Sequence, residues 1–166
     1  MEQAQVLTFL NNKDRDLLLQ FCGYSTTEPL HSFGPVVRPH YIIHFILNGK
    51  GIFQIREKTY HLETGQGFLI EPDELTFYQS DAQEPWEYLW IGFNGKMIPE
   101  FLKQIGLSSA HPIFHCDKKK ELYWLVNDML VHSKSNFSSD LRRTGLLYEF
   151  LSILALNPLE SDQQVD

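Results

Sequence analysis

Residues 40–93 decide the fold, and they read HYIIHFILNGKGIFQIREKTYHLETGQGFLIEPDELTFYQSDAQEPWEYLWIGF. Apolar runs rich in Ile, Phe, Tyr and Trp recur along this stretch, and each run ends at a turn signal. The turn signals lie at residues 48–51, 57–58, 64–67, 72–73 and 81–85. Short strands at such regular spacing are typical of an antiparallel barrel or sandwich. We therefore predict an α+β chain, mainly β, with an antiparallel β-barrel over residues 21–93 and a barrel domain that ends at residue 95.

The last predicted strand is apolar on both faces. Side chains alternate along a strand, and the alternation divides this one into Trp86, Tyr88, Trp90 and Gly92 on one face and Glu87, Leu89, Ile91 and Phe93 on the other. Both faces should therefore be covered, one by the barrel lumen and one by a packed helix. The aromatic face is the better candidate for the lumen, because large rings with polar groups line cavities that hold ligands.

After residue 95 the apolar period changes to that of a helix, and we predict about three helices over residues 96–156. Gly106 should end the first, residues 107–116 should form a loop, and Asp117 should cap the second. The last helix is apolar more widely than one core-facing stripe requires. It either lies in the middle of a core or packs against a second copy of the chain. We expect the second copy, and hence a homodimer, with the interface at Leu147, Leu151 and Leu154.

The two ends of the chain give weaker signals. Residues 1–20 are polar apart from a leucine cluster at 17–19, and they predict an N-terminal arm or a short helix. Residues 21–39 carry three prolines and suit edge strands and loops. Residues 157–166 are polar and resemble a linker that leads out of the domain.

Composition narrows the class of protein. The chain has 166 residues and a formal net charge of -7, with no basic surface for a phosphate backbone, so this piece is not expected to bind nucleic acid itself. Cys22 and Cys116 fit no metal-ligand spacing and are expected to be free thiols. The sequence contains no secretory signal or apolar run long enough to cross a bilayer. We expect a cytoplasmic protein without a membrane partner.

No pattern predicts catalysis, a metal or a cofactor. His40 and His44 would lie about 13 Å apart along a strand, too far to share one ion with bonds of about 2 Å. The sequence has no G-x-S-x-G, H-E-x-x-H or C-x-x-C motif. We therefore predict no enzyme.

A few side chains favour a binding site at the barrel mouth. Arg38 precedes Pro39 and would present a fork of donors to a hydroxylated or acidic ligand, although a surface or ion-paired arginine fits equally well. Trp90 would stack on the C–H face of a sugar ring, and Tyr78 and Tyr88 would hydrogen-bond its hydroxyls. Core packing alone also explains such aromatic residues.

Four segments together resemble the sensor domain of AraC/XylS-type transcriptional regulators. They are strand–N-G-x-G at residues 45–51, L-x-x-G-x-G-F-L-I-x-P at 62–72, Y-Q-x-D at 78–81 and P-W-E-Y-x-W-I-x-F-x-G at 85–95. The lead-in at 21–45 resembles the branch that controls raffinose, melibiose and multiple-sugar operons. The resemblance covers residues 15–156.

The resemblance implies a cupin-like barrel that binds a sugar effector, such as the α-galactosides melibiose or raffinose, followed by helices that dimerise the regulator. It also implies a C-terminal DNA-binding domain with two helix-turn-helix motifs. Because this chain stops at the linker-like residues, we expect it to be a sensor piece that reaches DNA only through that missing domain. The family's sugar contacts carry over to Arg38, Tyr78, Tyr88 and Trp90, with a looser match at Ser25. We add His44, which shares a strand with the mouth.

Two alternatives remain open. The first is a metal-dependent cupin enzyme that acts on a small sugar or acid. In catalytic cupins a P-G-x-x-H segment supplies a metal ligand, whereas here Pro72 is followed by Asp73, and Thr76 stands in place of the histidine. This departure argues against the enzyme. The second alternative is an interaction module whose lumen is filled by its own side chains.

Overall fold

The structure is a computed structural model that describes residues 2–6 and 15–157. Within these residues the chain forms ten strands and three helices. The strands are β1 (Glu2–Val6), β2 (Leu18–Thr26), β3 (Ser32–Val37), β4 (Tyr41–Asn48), β5 (Lys50–Ile55), β6 (Lys58–Glu63), β7 (Gln66–Ile70), β8 (Leu75–Ser80), β9 (Glu87–Asn94) and β10 (Ile113–His115). The helices are α1 (Ile98–Ile105), α2 (Lys119–Val131) and α3 (Phe137–Leu154).

The described strands form two antiparallel sheets. The six-stranded sheet has the order β1-β2-β9-β4-β7-β10, and the four-stranded sheet has the order β3-β8-β5-β6. Their facing sides share one core cluster, so the barrel is built from two packed sheets. The prediction of a mainly β chain of antiparallel strands followed by three helices is confirmed, and the barrel region consists of these two packed sheets.

The six-stranded sheet is the middle layer of the molecule, because its other face packs against the helices. On β9, Leu89, Ile91 and Phe93 belong to the core shared with the helices, whereas Tyr88 belongs to the core between the sheets. Trp90 packs against the same inter-sheet core. The predicted division of this strand into an aromatic lumen face and an aliphatic helix face is confirmed.

Local signals place the strand and helix ends. The turns between the strands of the 40–93 block fall at or next to the predicted turn residues. Gly106 ends α1 in a left-handed conformation, with φ 95°, that glycine adopts without steric cost. The Asn136 side chain caps α3 by accepting a hydrogen bond from the backbone N–H of Ser139 at 2.8 Å. The prediction for Asp117 is wrong, since Lys118 occupies the N-cap of α2 and provides no side-chain cap.

Both ends of the predicted barrel differ from expectation. Residues 17–19 do not form a helix, since Leu17 leads into β2 and all three leucines are buried. Residues 2–6 form β1, which pairs with β2, so β2 is an inner strand and not an edge strand. The predicted loop at 107–116 contains β10, which pairs with the edge of β7 and takes up its backbone hydrogen-bonding groups. The rest of the arm, at 7–14, and the linker from residue 158 onward lie outside the described residues.

The leucines predicted to form a dimer interface are buried within this chain. Leu147, Leu151 and Leu154 are 0%, 5% and 7% exposed and belong to the core between the helices and the six-stranded sheet. The prediction that these side chains face a second copy is therefore wrong. The physical reason is that the helix face of the sheet, together with α1 and α2, covers the wide apolar side of α3. A partner is not needed to bury it.

A buried arginine joins the last two helices. Arg143 on α3 is 1% exposed, and its Nη1 donates hydrogen bonds to the backbone carbonyls of His132 and Lys134, the latter at 2.9 Å. These carbonyls follow the C-terminal end of α2 and have no helical N–H partner of their own. The guanidinium thus holds the α2–α3 turn against α3.

Replacing Arg143 with Met should lower the free energy of unfolding by about 1.5–3 kcal/mol, because two backbone carbonyls lose a charged donor that is itself buried. Urea denaturation measures the change through the midpoint at constant slope. The neighbouring exposed Arg142 offers a matched control, and Arg142→Met should change the stability by less than about 0.5 kcal/mol. Equal midpoints for the two variants would contradict the structural role of Arg143.

Candidate functional site

The space between the two sheets is lined mainly by aromatic and aliphatic side chains. The buried members from the six-stranded sheet include Ile42, Ile46, Phe68, Ile70 and Tyr88, and those from the four-stranded sheet include Phe53, Ile55, Leu62 and Tyr78. Trp86, just before β9, is buried among them. Phe21 and Trp90 are partly buried and pack against this cluster. We call this space the lumen.

Four of the predicted ligand-binding residues form one continuous group of rings in the lumen. The His44 ring centroid lies 4.7 Å from that of Tyr78 and 5.3 Å from that of Tyr88. The Trp90 centroid lies 5.5 Å from that of Tyr88 and 6.5 Å from that of His44. The period of two places Tyr88 and Trp90 together, while strand pairing brings His44 directly opposite Trp90.

Arg38 lies where the two sheets part, next to this group. Its guanidinium carbon sits 5.4 Å from the ring centroid of Phe21 on β2 and 5.0 Å from that of Phe33 on β3. The charge of Arg38 lowers the pKa of His44 and opposes the rise in the pKa of Tyr78 and Tyr88 that burial causes. Within the part of the chain that the structure describes, the Arg38 guanidinium has no hydrogen-bond or ion-pair partner. Cation–π contacts therefore position the guanidinium and leave its donors unused.

Ser25 lies on β2 beside Tyr88, and its side chain is buried. It pairs with Tyr88 across β2 and β9, and Glu2 on β1 pairs with Ser25 in turn. Gly23 pairs with Trp90, and a Cβ atom at Gly23 would lie 2.5 Å from Trp90 Cζ2. Only a residue without a side chain allows the indole to lie this close to β2.

Phe21, Phe33, Gly23 and Glu2 also contribute to this site, although the sequence did not lead us to predict them. For Phe21 and Gly23 a signal existed, because with Ser25 they form an alternating face of β2. For Phe33 and Glu2 no local pattern exists. Their positions depend on how β3 and β1 meet the rest of the barrel.

The interior of the lumen is uncharged near neutral pH. Burial, followed by the charge of Arg38, lowers the pKa of His44 to about 3. Burial, followed by the charge of Glu2, raises the pKa of Tyr88 to about 12. Burial, followed by the proximity of Tyr88, also raises the pKa of Tyr78. The site therefore combines neutral polar groups inside with one cation, Arg38, at the opening.

Accessibility differs along the lumen. His44, Tyr78 and Tyr88 are 2%, 5% and 7% exposed, whereas Arg38 and Trp90 are only half-buried. Two buried side-chain nitrogens near these rings, His44 Nδ1 and Trp86 Nε1, have no hydrogen-bond partner among the described residues. Arg38 and Trp90 are therefore the solvent-accessible members of this group, and His44, Tyr78 and Tyr88 lie deeper in the molecule.

A groove of about 660 Å³ lies elsewhere, on the outer face of β5, β6 and β8. Its polar lining includes Lys50, Glu63, Gln79 and Asp81. It contains none of the predicted ligand-binding residues. We therefore place the candidate site in the lumen.

The described part of the chain holds neither a metal cluster nor a membrane helix. In residues 2–6 and 15–157, no group of three or more His, Cys, Asp or Glu side chains is arranged to hold a metal ion. In the same residues, no helix has the length and apolar character to span a membrane.

Comparison with known proteins gives a family match and several relatives. The family described as the AraC-like ligand binding domain matches residues 18–151. An Msm operon regulatory protein of Streptococcus mutans is 37% identical over 143 residues, which are 84% of this chain and 50% of that protein. A lactose operon transcription activator of Staphylococcus xylosus is 29% identical over 141 residues, again 84% and 50%. A raffinose operon transcriptional regulatory protein of Pediococcus pentosaceus is 29% identical over 145 residues, or 75% and 50%.

The chain spans about half the length of the curated relatives it matches. Among solved structures, the protein YhaK of Escherichia coli is similar, with a TM-score of 0.50 and 12% identity over 59% of this chain and 46% of that one. A cupin 2 conserved barrel domain protein of Salinispora arenicola has a TM-score of 0.44 and 14% identity over 62% and 84% of the two chains. The likeness to YhaK concerns the fold alone.

The buried imidazole predicts a loss of stability in acid. His44 takes up a proton near its ordinary pKa of about 6.5 when the chain is unfolded, but only near about 3 when it is folded. The stability contributed by this group is therefore fully present above about pH 6.5 and falls by about 1.4 kcal/mol per pH unit below it. Burial keeps Tyr78 and Tyr88 neutral throughout this range, so they add no slope.

Urea denaturation of wild type and His44→Phe between about pH 7.5 and pH 5 measures this loss. The wild type should lose about 2 kcal/mol more than the variant over that range. Parallel pH profiles for the two proteins would show that His44 is not held neutral by burial.

Proposed function

This chain belongs to the AraC-like ligand binding domain family, and we propose that it is the effector-binding part of a sugar-responsive transcriptional regulator. The chemistry of the lumen supports this function. Trp90 offers a half-buried indole face, and the Arg38 guanidinium has unused donors among the described residues. Tyr78 and Tyr88 supply hydroxyl groups from the same group of rings, with centroids 6.2 Å apart. An apolar stacking face beside several hydrogen-bonding groups suits a pyranose, which has apolar C–H faces and a polar rim. The half-buried Trp90 within this ring group, together with the Arg38 guanidinium held by Phe21 and Phe33 at the opening, carries the proposal.

The proposed ligand is a galactoside. Two of the similar regulators are named for the lactose and raffinose operons, and both of these sugars contain a galactosyl residue. In our proposal the galactosyl ring stacks on Trp90, and its hydroxyls pair with Arg38, Tyr78 and Tyr88. One stacked ring and a few polar contacts correspond to a Kd between micromolar and millimolar, or about 4–8 kcal/mol.

Strand β9 provides a direct route from the ligand to the helices. Its Trp90 and Tyr88 side chains face the lumen, while Leu89, Ile91 and Phe93 pack against the helical layer. A ligand that favours one position of Trp90 therefore also favours one position of its helix-facing neighbours on β9, Leu89 and Ile91. In our proposal this shift changes how the regulator presents a separate DNA-binding domain.

We propose that two copies of the chain pair through α2 and α3, at a face different from the one predicted. Trp124 on α2 is 59% exposed and borders a groove of about 390 Å³ between the two helices. The groove lining also includes Lys120, Glu121, Glu149 and Ile153. Because this surface carries both charge signs around an exposed tryptophan, two copies related by a two-fold axis would complement each other.

Galactoside binding gives the direct test of the site. Isothermal titration with melibiose, raffinose, lactose and glucose should detect binding of at least one galactoside. Trp90→Ala removes the stacking face, and Arg38→Met keeps the stem between the two Phe rings but removes the donors. Each variant should weaken binding at least tenfold, or about 1.4 kcal/mol.

Phe137→Ala is the matched control, because it removes an exposed aromatic ring at the start of α3, outside the lumen and outside the groove that Trp124 borders, and it should leave the sugar affinity unchanged. If Trp90→Ala and Arg38→Met bound the same galactoside as tightly as the wild type, the ligand site would be placed wrongly.

The dimer surface is tested by charge insertion. Trp124→Glu should convert a dimer into a monomer, because it places two carboxylates at the centre of the proposed interface. Leu75 on β8 is equally exposed, at 59%, and Leu75→Glu should leave the dimer intact. Light scattering after gel filtration measures the mass of each protein. A monomeric wild type, or an unchanged mass for Trp124→Glu, would contradict the proposed interface.

A further inference from the structure

We propose that His44 is the innermost ligand contact and that it accepts only an uncharged hydroxyl, so that the lumen selects neutral saccharides over acidic or phosphorylated sugars of the same skeleton. This inference rests on the proposed function, since it concerns the same lumen. It adds the chemical class of the ligand's buried end and the direction in which the ligand enters.

The position of His44 puts it within reach of a stacked sugar. His44 on β4 and Trp90 on β9 are directly paired across the sheet, and both face the lumen. Side chains opposite each other in an antiparallel pair are nearest neighbours. A ring that stacks on the half-buried Trp90 therefore has its inner edge next to the imidazole.

The Nδ1 atom of His44 is an unsatisfied polar group. It is completely buried, yet no described residue forms a hydrogen bond with it. The ring itself is well packed, because it stacks on Phe68 with centroids 4.6 Å apart and an interplanar angle of 11°. A buried polar atom without a partner destabilises a fold. A phenyl ring would pack in the same place without that penalty, so the presence of the nitrogen is explained if the ligand pairs with it.

The surroundings of His44 determine what that partner is. Its nearest rings are Phe68, Tyr78 and Tyr88, and the described cation that acts on it is Arg38 at the opening. Burial keeps the imidazole neutral, so it cannot balance a carboxylate or a phosphate. A hydroxyl both donates and accepts, and it therefore satisfies Nδ1 in either tautomer.

The decisive variant is His44→Phe, which keeps the ring stacking and deletes the nitrogen. At about pH 7.5 the ligand-free variant should unfold at a higher urea concentration than the wild type, because a buried unpaired polar atom is gone. Its affinity for the bound galactoside, measured by isothermal titration, should fall at least tenfold. A purely structural histidine would give the opposite stability change. His61→Phe, at an exposed position of β6, is the matched control and should leave the affinity unchanged.

A ligand series tests the selectivity without any variant. Wild-type protein should bind galactose or its neutral glycosides at least tenfold more tightly than galacturonic acid and galactose 6-phosphate. Equal affinity for the acidic sugars, or unchanged galactoside affinity in His44→Phe, would overturn this inference. Galactoside binding that depends on Trp90 but not on His44 would leave the proposed function standing and reject only the role of His44. If no saccharide binds, both fall together.

Discussion

Burial of the six-stranded sheet on both faces is the constraint on which the rest of the structure depends. β9 lies in the middle of that sheet and alternates between aromatic residues that face the lumen and aliphatic residues that face the helices. The period of a strand is two, so a slip of one residue would exchange the two sets completely. The register of β9 with β2 and β4 therefore fixes at once the lining of the lumen, the floor under the helices and the positions of Tyr88 and Trp90.

Desolvation then determines the electrostatics of the site. The inner polar groups, His44, Tyr78 and Tyr88, lie among rings and are held neutral by burial. Among the described residues, Arg38 is the charged side chain that acts on all three groups, and it lies at the opening, where Phe21 and Phe33 contact it from different sheets. In our proposal a ligand with many hydroxyls and no net charge occupies the neutral interior, with Arg38 pairing with its hydroxyls at the opening.

The helical layer lies between this site and the proposed dimer surface. α3 packs its wide apolar side onto the sheet, and the buried Arg143 holds the turn that joins it to α2. Because the sheet covers the apolar side of α3, only exposed side chains such as Trp124 remain for contact with a second copy in our proposal. The lumen, the six-stranded sheet and the helices with the proposed dimer surface thus form consecutive layers. β9, in the sheet, separates the lumen from the helices.

The sequence by itself determined the features that depend on neighbouring residues along the chain. Turn residues set the strand ends in the 40–93 block, and alternation sorted Tyr88 and Trp90 from Leu89 and Ile91. Only the tertiary structure decided which elements meet. It added β1 and β10 to the sheet edges, placed Phe21 and Phe33 around Arg38, and buried Leu147, Leu151 and Leu154 inside the chain. The physical reason is that periodicity shows which face of an element is apolar, whereas the partner that covers that face is set by contacts between residues far apart in the sequence.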